Sequence, residues 1–262
     1  MTQILDSNMQ GLVLEVISAN ISDEVPDKKY VLYTLQIRYI SGNDDLTPSV
    51  IQRRYTQFQN LYNSLYKEFP AKLGDISFPK KAYTGNFSNE LIMERSTAFE
   101  QFLKHIASDS QLRTSKAMHL FLQEPELTDA KQQIEVKLYD VASQKLENIF
   151  RLLNKVFSDR SHEVLLILCR LVACSAESDT PDPARLKWAN LALYRFNGVS
   201  DSDLLELYMP LLHSCVKIYN SNNQSAEELT SQLQKLQRKG MRDVEGRTLL
   251  IAIQELEEKM RH

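Results

Sequence analysis

The sequence predicts an α+β domain followed by an all-α domain of helical hairpins. In residues 30–40 apolar and aromatic side chains alternate with more polar ones, which is the period of a strand, whereas from Leu127 onward the spacing is helical only. The turn-forming segment Gln123-Glu124-Pro125 separates the two patterns. We therefore place the α+β domain at residues 8–124 and the helical domain at residues 127–262.

Three antiparallel strands are expected at residues 10–20, 30–40 and 49–54. The first is rich in β-branched and apolar residues, the second alternates, and the third is short and apolar. Turn formers lie in both connections, Pro26 in the first and Ser41-Gly42-Asn43-Asp44-Asp45 in the second. Consecutive strands joined in this way form a meander.

Helices complete the first domain, at about residues 56–69, 88–107 and 114–122. Residues 70–89 show no period and contain Pro70, Gly74, Pro79 and Gly85, so a long loop is expected there. Loops of that length are uncommon and are often functional.

Helices alone are predicted in the second domain: 130–157 with a break near Ala142, 161–176, 183–196, 201–219, 226–239 and 244–259. Suitable end residues are Ser161, Asp201 and Ser225 as N-caps, Pro183 in a first turn, and Gly198 and Gly240 at C-terminal ends. Hairpins starting near residues 128, 161 and 201 repeat roughly every 33 to 40 residues, close to the tetratricopeptide period of about 34. We therefore describe this domain as TPR-like.

The composition limits the classes of function. A net charge of −3 argues against binding nucleic acid by bulk electrostatics, because such domains are usually strongly basic. Three cysteines without CxxC spacing predict buried thiols in a reducing compartment. The N-terminal residues lack a signal-peptide pattern, and no segment stays apolar over about 18 residues, so any membrane contact is expected to be peripheral.

Patterns of catalytic and metal-binding residues are absent from the sequence. The five histidines show no HxxxH or HExxH spacing, and no cysteine lies near one in a ligand pattern. The GxSxG, GxGxxG and GxxxxGK motifs are also missing. We therefore predict a protein that is not an enzyme, with no catalytic residue, no metal site and no cofactor.

The stretch that points to a ligand is Arg53-Arg54-Tyr55, where the third strand meets the first helix. Adjacent strand residues face opposite sides, so at most one of the two arginines is expected to reach a given pocket. At such a junction side chains can converge on a ligand without taking part in core packing. The stretch therefore predicts a local anion site.

With two later segments, this stretch resembles the PX (phox homology) domain, the phosphoinositide-binding module of the sorting nexins. The segments are Arg53-Arg54-Tyr55-Thr56-Gln57-Phe58, Phe78-Pro79-Lys80-Lys81-Ala82-Tyr83 and Met93-Glu94-Arg95-Ser96-Thr97-Ala98-Phe99. The resemblance covers about residues 8–124 and agrees in order, spacing and expected secondary structure. One departure is Ile76, which stands three residues before Pro79 where the family usually has another proline.

The resemblance implies a pocket for phosphatidylinositol 3-phosphate. Arg54 would hold the 3-phosphate through a forked guanidinium contact that lysine cannot reproduce. Tyr55 would pack its ring under the inositol. Lys81 would neutralise the 1-phosphate, and Arg95 would hold inositol hydroxyls from the opposite wall.

The second half resembles the PXB domain, the TPR-like helical module that follows a PX domain in the sorting nexin twenty and twenty-one subgroup. This resemblance depends on the direct PX-to-helix junction, the number of hairpins and segments such as residues 165–172. BAR domains, which other sorting nexins carry, need long uninterrupted helices. The repeated helix breakers argue against a BAR domain here.

These resemblances imply a peripheral adaptor on the cytosolic face of early endosomes. It would bind phosphatidylinositol 3-phosphate through the PX domain and a protein partner or cargo through the helical domain. Tyr83 and Phe87 are candidates for insertion into the membrane, with packing inside the loop as the alternative. Three other functions stay open: a protein scaffold whose PX domain has little lipid affinity, a helical domain that is a second lipid-binding module, and a lipid-modifying enzyme, against which only the absence of catalytic motifs speaks.

Overall fold

The computed structural model of the protein describes residues 11–23, 29–39, 47–82, 84–178, 182–240 and 246–260. The chain divides into two compact units. The first comprises Met1–Glu124 with Arg151–Val156, and the second comprises Pro125–Phe150 with Phe157–His262. The predicted limits of 8–124 and 127–262 concern independently folding domains and stay predictions.

The first unit contains a three-stranded antiparallel sheet in the order β1–β2–β3. Its strands are β1 (Leu12–Ser22), β2 (Tyr30–Tyr39) and β3 (Ser49–Arg54). Across the β2–β3 pair, Tyr33 lies opposite Arg53 and Leu32 lies opposite Arg54. Because side chains alternate along a strand, this register puts the two arginines on opposite faces of the sheet.

One face of the sheet carries the core of the first unit. Tyr33 and Leu35 of β2 are buried on this face, as is Ile51 of β3. Phe58 and Phe99, from two helices, stack with ring centroids 3.9 Å apart, and Tyr33 meets Phe99 edge-on at 4.9 Å. The core beneath the strand-to-helix junction is therefore largely aromatic, with ring geometries typical of stable aromatic pairs.

The helices of the first unit that precede residue 115 are α1 (Tyr55–Glu68), α2 (Pro70–Leu73), α3 (Asn89–Ser108) and α4 (Ser110–Arg113). The prediction of a loop throughout residues 70–89 is wrong at its start, since Pro70 begins the single turn of α2. Proline suits a first helical turn, where its missing N–H has no intrahelical partner, and Leu73 in this turn is fully buried. The described residues 74–82 and 84–88 are irregular, as expected.

Helix α5 (Lys116–Glu135) continues through Pro125, so the predicted helix end near Leu122 is wrong. A proline inside a helix removes one hydrogen bond and usually bends or ends it. Here Leu122 before the proline and Ala130 after it are both fully buried, and burial on either side favours the helical path. The division between the two compact units nevertheless falls at Pro125.

The remaining helices are α6 (Tyr139–Val156), α7 (His162–Glu177), α8 (Pro183–Phe196), α9 (Ser202–Leu205), α10 (Tyr208–Ser221), α11 (Glu227–Arg238) and α12 (Leu249–Lys259). The break predicted near Ala142 lies instead before Tyr139, where Lys137 has φ of 61°. The helix predicted over residues 201–219 is interrupted after Leu205. The predicted fold class is confirmed: a three-stranded antiparallel sheet with helices, followed by helices alone in the described part of the second unit. The TPR-like pairing of the helices stays a prediction.

Side chains cap the helices at two of the three predicted positions. The Ser161 hydroxyl accepts a hydrogen bond from the backbone N–H of Val164 at 3.4 Å, and Asp201 accepts one from the N–H of Asp203 at 2.9 Å. The third N-cap is Ala226 rather than Ser225, although the Ser225 hydroxyl accepts from the N–H of Glu227, the first residue of α11, at 3.4 Å. Among the described residues, none of the helices is long and apolar enough to cross a membrane.

Candidate anion-binding site

Arg53 is part of the core and not of the candidate site. Its side chain is fully buried. Its Nε donates to the Phe121 carbonyl oxygen at 2.6 Å, its Nη2 donates to the Leu122 carbonyl oxygen at 2.9 Å, and its Nη1 donates to the Gln52 carbonyl oxygen at 2.7 Å. The guanidinium therefore stabilises the first half of α5, just before Pro125, against β3. The two arginines thus face opposite sides of the sheet, as predicted from the strand period.

Arg54, by contrast, is exposed at the junction of β3 and α1. It is the N-cap residue of α1, and its backbone N–H donates to Gln57 Oε1 at 2.7 Å. Its Cζ lies 3.5 Å from the centroid of the Tyr30 ring. Tyr30 lies two residues before Leu32, the partner of Arg54 across the strands, and therefore on the same face of the sheet. The cation–π contact holds the Arg54 side chain against the sheet.

Tyr55, the first residue of α1, connects the junction to the loop. Its hydroxyl donates to the Pro79 carbonyl oxygen at 2.8 Å, and the Cζ of Arg95 lies 4.2 Å from its ring centroid. Burial raises the pKa of the Tyr55 hydroxyl, although the Arg95 charge acts in the opposite direction. The hydroxyl is therefore protonated at neutral pH and can donate to Pro79. One side chain thus contacts the loop and the third helix at the same time.

Arg95 is a buried cation whose hydrogen-bonding capacity is only partly used. It is 3% exposed, and its Nη1 donates to Asn86 Oδ1 at 3.1 Å. Its Nε and Nη2 have no hydrogen-bond partner in the part of the chain that the structure describes. The Tyr33 hydroxyl lies nearby and also has no hydrogen-bond partner of ordinary geometry among the described residues. Burial raises the pKa of this hydroxyl, and the charge of Arg95, with a weak hydrogen-bonding contact between the two groups, opposes the rise. Burying a charge with unpaired donors is costly, so the arrangement favours an anionic or hydroxyl-rich ligand.

The loop places Lys81 on the surface, two residues after the Pro79 carbonyl that Tyr55 contacts. Lys80 is exposed as well. Phe87 is 43% exposed, which leaves both membrane contact and partial packing open to its ring. The other predicted insertion residue, Tyr83, lies outside the described residues.

The structure brings two of the four predicted pocket residues, Tyr55 and Arg95, into side-chain contact, whereas the Arg54 side chain contacts Tyr30. Arg54 and Tyr55 are adjacent, and Arg95 lies over the Tyr55 ring. Lys81 is connected to these residues through its loop and not through a side-chain contact. Sequence reasoning missed Tyr30 and Asn86. The strand period could have indicated Tyr30 once the register was known, whereas no sequence signal marked Asn86.

The three cysteines and the residue types that bind metals were also compared with the predictions made for them from the sequence. Cys169, Cys174 and Cys215 are buried free thiols, as predicted. Burial raises the pKa of Cys174 and Cys215 to about 12 and that of Cys169 further still, so all three are protonated at neutral pH. No group of three or more His, Cys, Asp or Glu residues able to hold a metal ion occurs among the residues described.

The pattern of the junction, loop and third helix recurs in a known family. The PX domain family matches residues 42–125, which include Arg54, Tyr55, Lys81 and Arg95. This chain carries a PX domain. The PX domain is followed by the helical unit, and the predicted resemblance to the sorting nexins is confirmed by relatives that match most of the chain.

Two relatives show how far this similarity extends beyond the PX domain. The chain is 34% identical to human (Homo sapiens) sorting nexin-21 over 233 residues, which is 88% of this chain and 61% of that protein. It is 29% identical to rat (Rattus norvegicus) sorting nexin-20 over 226 residues, which is 86% of this chain and 70% of that protein. The chain thus spans less than two thirds of human sorting nexin-21.

A solved structure is similar to the PX domain alone. This is the crystal structure of the mouse SNX19 PX domain with bound sulphate ion, which is 21% identical to this chain. The similarity covers 42% of this chain and 96% of that one, with a TM-score of 0.34.

Proposed function

We propose that this protein is a non-enzymatic peripheral membrane adaptor that binds a phosphoinositide, phosphatidylinositol 3-phosphate, through its PX domain. The observation that carries the proposal is the presence of two arginines at Tyr55, Arg54 directly before it in the chain and Arg95 over its ring. Arg54 is exposed at the strand end, and Arg95 lies 4.2 Å from the Tyr55 ring with two unpaired nitrogens. A forked guanidinium suits a phosphate, and an aromatic ring suits the apolar face of inositol.

In this proposal each residue has one role at the headgroup. Arg54 binds the 3-phosphate, Tyr55 packs under the inositol ring, Arg95 binds inositol hydroxyls and Lys81 meets the 1-phosphate. Phe87, and Tyr83 as predicted from the sequence, insert at the level of the headgroups. Local cations of this kind bind an anionic lipid without a basic domain, which fits a chain with a net charge of −3.

We further propose that lipid binding brings the chain to the cytosolic face of early endosomes, where the helical unit recruits a protein partner or cargo. Apolar side chains exposed on the second unit support a protein contact: Tyr194 is 67% exposed and Val136 is 64% exposed. A single headgroup gives modest affinity, and stable membrane residence usually needs a second contact. The helical unit and its partner would supply that contact.

A liposome pelleting experiment tests lipid recognition. Vesicles of phosphatidylcholine containing either phosphatidylinositol 3-phosphate or unphosphorylated phosphatidylinositol are mixed with the wild type and with Arg54→Ala. We expect the wild type to pellet with the phosphorylated lipid only, and Arg54→Ala to stay in the supernatant. Equal pelleting of all four combinations contradicts the proposal.

A localisation experiment tests recruitment. The full chain, fused to a fluorescent protein, is expected to concentrate on endosomes, and Arg54→Ala is expected to be diffuse. Endosomal concentration that survives Arg54→Ala would instead indicate a scaffold that the helical unit brings to the membrane. A phosphoinositide turnover measurement with the wild type should show no change in the lipid, and turnover would contradict the adaptor proposal.

A further inference from the structure

Asn86 lies between the loop that carries Lys81 and the buried guanidinium of Arg95. Its Nδ2 donates to the Ala82 carbonyl oxygen at 3.0 Å, and its Oδ1 accepts from Arg95 Nη1 at 3.1 Å. Only this orientation of the amide satisfies both contacts, because a guanidinium has donors alone and a carbonyl oxygen accepts alone. Both hydrogen-bonding groups of the side chain are therefore in use.

The backbone around Asn86 sets the position of this amide. Gly85 has φ of 71°, a conformation that glycine adopts without strain. The Ser88 N–H donates to the Gly85 carbonyl oxygen at 3.0 Å, and the Ser88 hydroxyl then caps α3 by accepting from Leu91 N at 3.3 Å. The turn joins Asn86 closely to the start of the helix that carries Arg95. The Asn86 side chain therefore links the position of the loop at Ala82 directly to the position of the Arg95 guanidinium.

We propose that Asn86 is a positioning residue that couples the two ends of the headgroup site. It orients Arg95 over the Tyr55 ring, and it holds Ala82, and with it the adjacent Lys81, at a fixed place in the loop. The inference rests on the proposed phosphoinositide function. It predicts that recognition of the 1-phosphate by Lys81 depends on Asn86, although Asn86 itself contacts no phosphate.

If Asn86 couples Lys81 to Arg95, its loss changes the ratio of affinities for ligands with and without a 1-phosphate, which a merely structural role would not change. General loosening of the domain would weaken every ligand by the same factor and leave the ratio of affinities unchanged. Loss of the Asn86 contact to Ala82 frees Lys81, so it lowers the preference for a ligand with a 1-phosphate over one without it. This ratio is the quantity to measure.

The experiment uses the full chain and two soluble ligands, inositol 1,3-bisphosphate and inositol 3-phosphate, with affinities from isothermal titration calorimetry. The wild type should prefer the bisphosphate by about tenfold, as expected for one added charge contact. Lys81→Ala should abolish this preference. Asn86→Ala should reduce it to about twofold and also weaken both ligands about threefold through Arg95. The double variant should show no preference beyond that of Lys81→Ala.

Two further variants keep the test decisive. Asn89→Ala removes an exposed asparagine at the start of α3 and should match the wild type. Asn86→Leu keeps the volume of the side chain without adding a charge but loses both the donor to Ala82 and the acceptor for Arg95, so it too should lose the preference, and it serves if Asn86→Ala does not fold. An unchanged preference in the Asn86 variants, or no preference in the wild type, overturns the inference. Full affinity of Arg54→Ala for both ligands overturns the proposed function instead.

Discussion

Arg53 and Arg54 are adjacent in the chain, but we expect replacement of Arg53 to lower stability and replacement of Arg54 to lower lipid binding. Arg53→Ala removes a fully buried guanidinium and the hydrogen bonds that it donates to the carbonyl oxygens of Phe121 and Leu122. The Phe121 oxygen is then left unpaired, because Pro125, four residues further along the helix, has no N–H. A buried polar group left unsatisfied costs about 1–3 kcal/mol, and the loss of packing on the Phe121 ring adds to it. We expect Arg53→Ala to lower the free energy of unfolding by about 3–5 kcal/mol, with a fall in Tm of roughly 10–20 °C.

Arg54→Ala acts on binding and not on folding. The Arg54 side chain is exposed and packs on the Tyr30 ring. Its removal should therefore change the free energy of unfolding by no more than about 0.5 kcal/mol. The loss of a guanidinium–phosphate contact should weaken binding by about 2–4 kcal/mol, or roughly 30- to 1,000-fold.

Thermal unfolding followed by circular dichroism, together with liposome pelleting, separates these effects. Arg53→Met is a matched control, because it keeps apolar volume near Phe121 but removes the donors; it should lose more than half of the stability that Arg53→Ala loses. Lipid binding by Arg53→Met below its Tm should equal that of the wild type. The reasoning is refuted if Arg54→Ala lowers Tm as much as Arg53→Ala, or if Arg53→Met folds normally and fails to bind the lipid.

Two other predictions concern Tyr30 and Glu257. Tyr30→Phe should bind phosphatidylinositol 3-phosphate vesicles like the wild type. Tyr30→Ala should bind them about threefold to tenfold more weakly, because Arg54 loses its ring contact. Equal binding by both variants in the pelleting assay would show that the ring does not orient Arg54. In the second unit, burial disfavours the charged Glu257, but Arg170 and Lys131 at 2.8 and 2.9 Å outweigh it and lower its pKa. Since the folded pKa lies below the unfolded value, this stabilisation is present above a pH of about 4.3 and is lost as the pH falls through the folded pKa. Urea unfolding of the wild type and Glu257→Gln at pH 7 and pH 3.5 should show a larger difference at pH 7, and the same difference at both values would contradict this account.

Local periodicity predicted the strands, most helices and the opposite facing of the two arginines. The reason is that side-chain direction along a strand depends only on residue parity, which any register preserves. The helix prediction was wrong at Pro125 and at residues 201–219. At Pro125 the local preference to end the helix is weaker than the burial of Leu122 and Ala130 on either side.

The candidate site was predicted in part. Arg54, Tyr55, Lys81 and Arg95 belong to short sequence patterns with a recognisable order, so they could be named before the fold was known. Asn86 and Tyr30 could not, because their contacts join segments that no local pattern relates. The burial of Arg95 with two unpaired nitrogens is likewise a property of packing and not of composition.

The sequence by itself determined the α+β and all-α halves, the parity that separates Arg53 from Arg54, and the PX resemblance, because each depends on local order and spacing. Only the tertiary structure decided what those residues contact. Phe121 and Leu122 in the first half of α5 accept hydrogen bonds from Arg53, the β2–β3 register brings Tyr30 to Arg54, and the turn at Gly85 brings Asn86 to Arg95. These contacts join residues 9 to 69 positions apart, and such pairing depends on how the elements pack together.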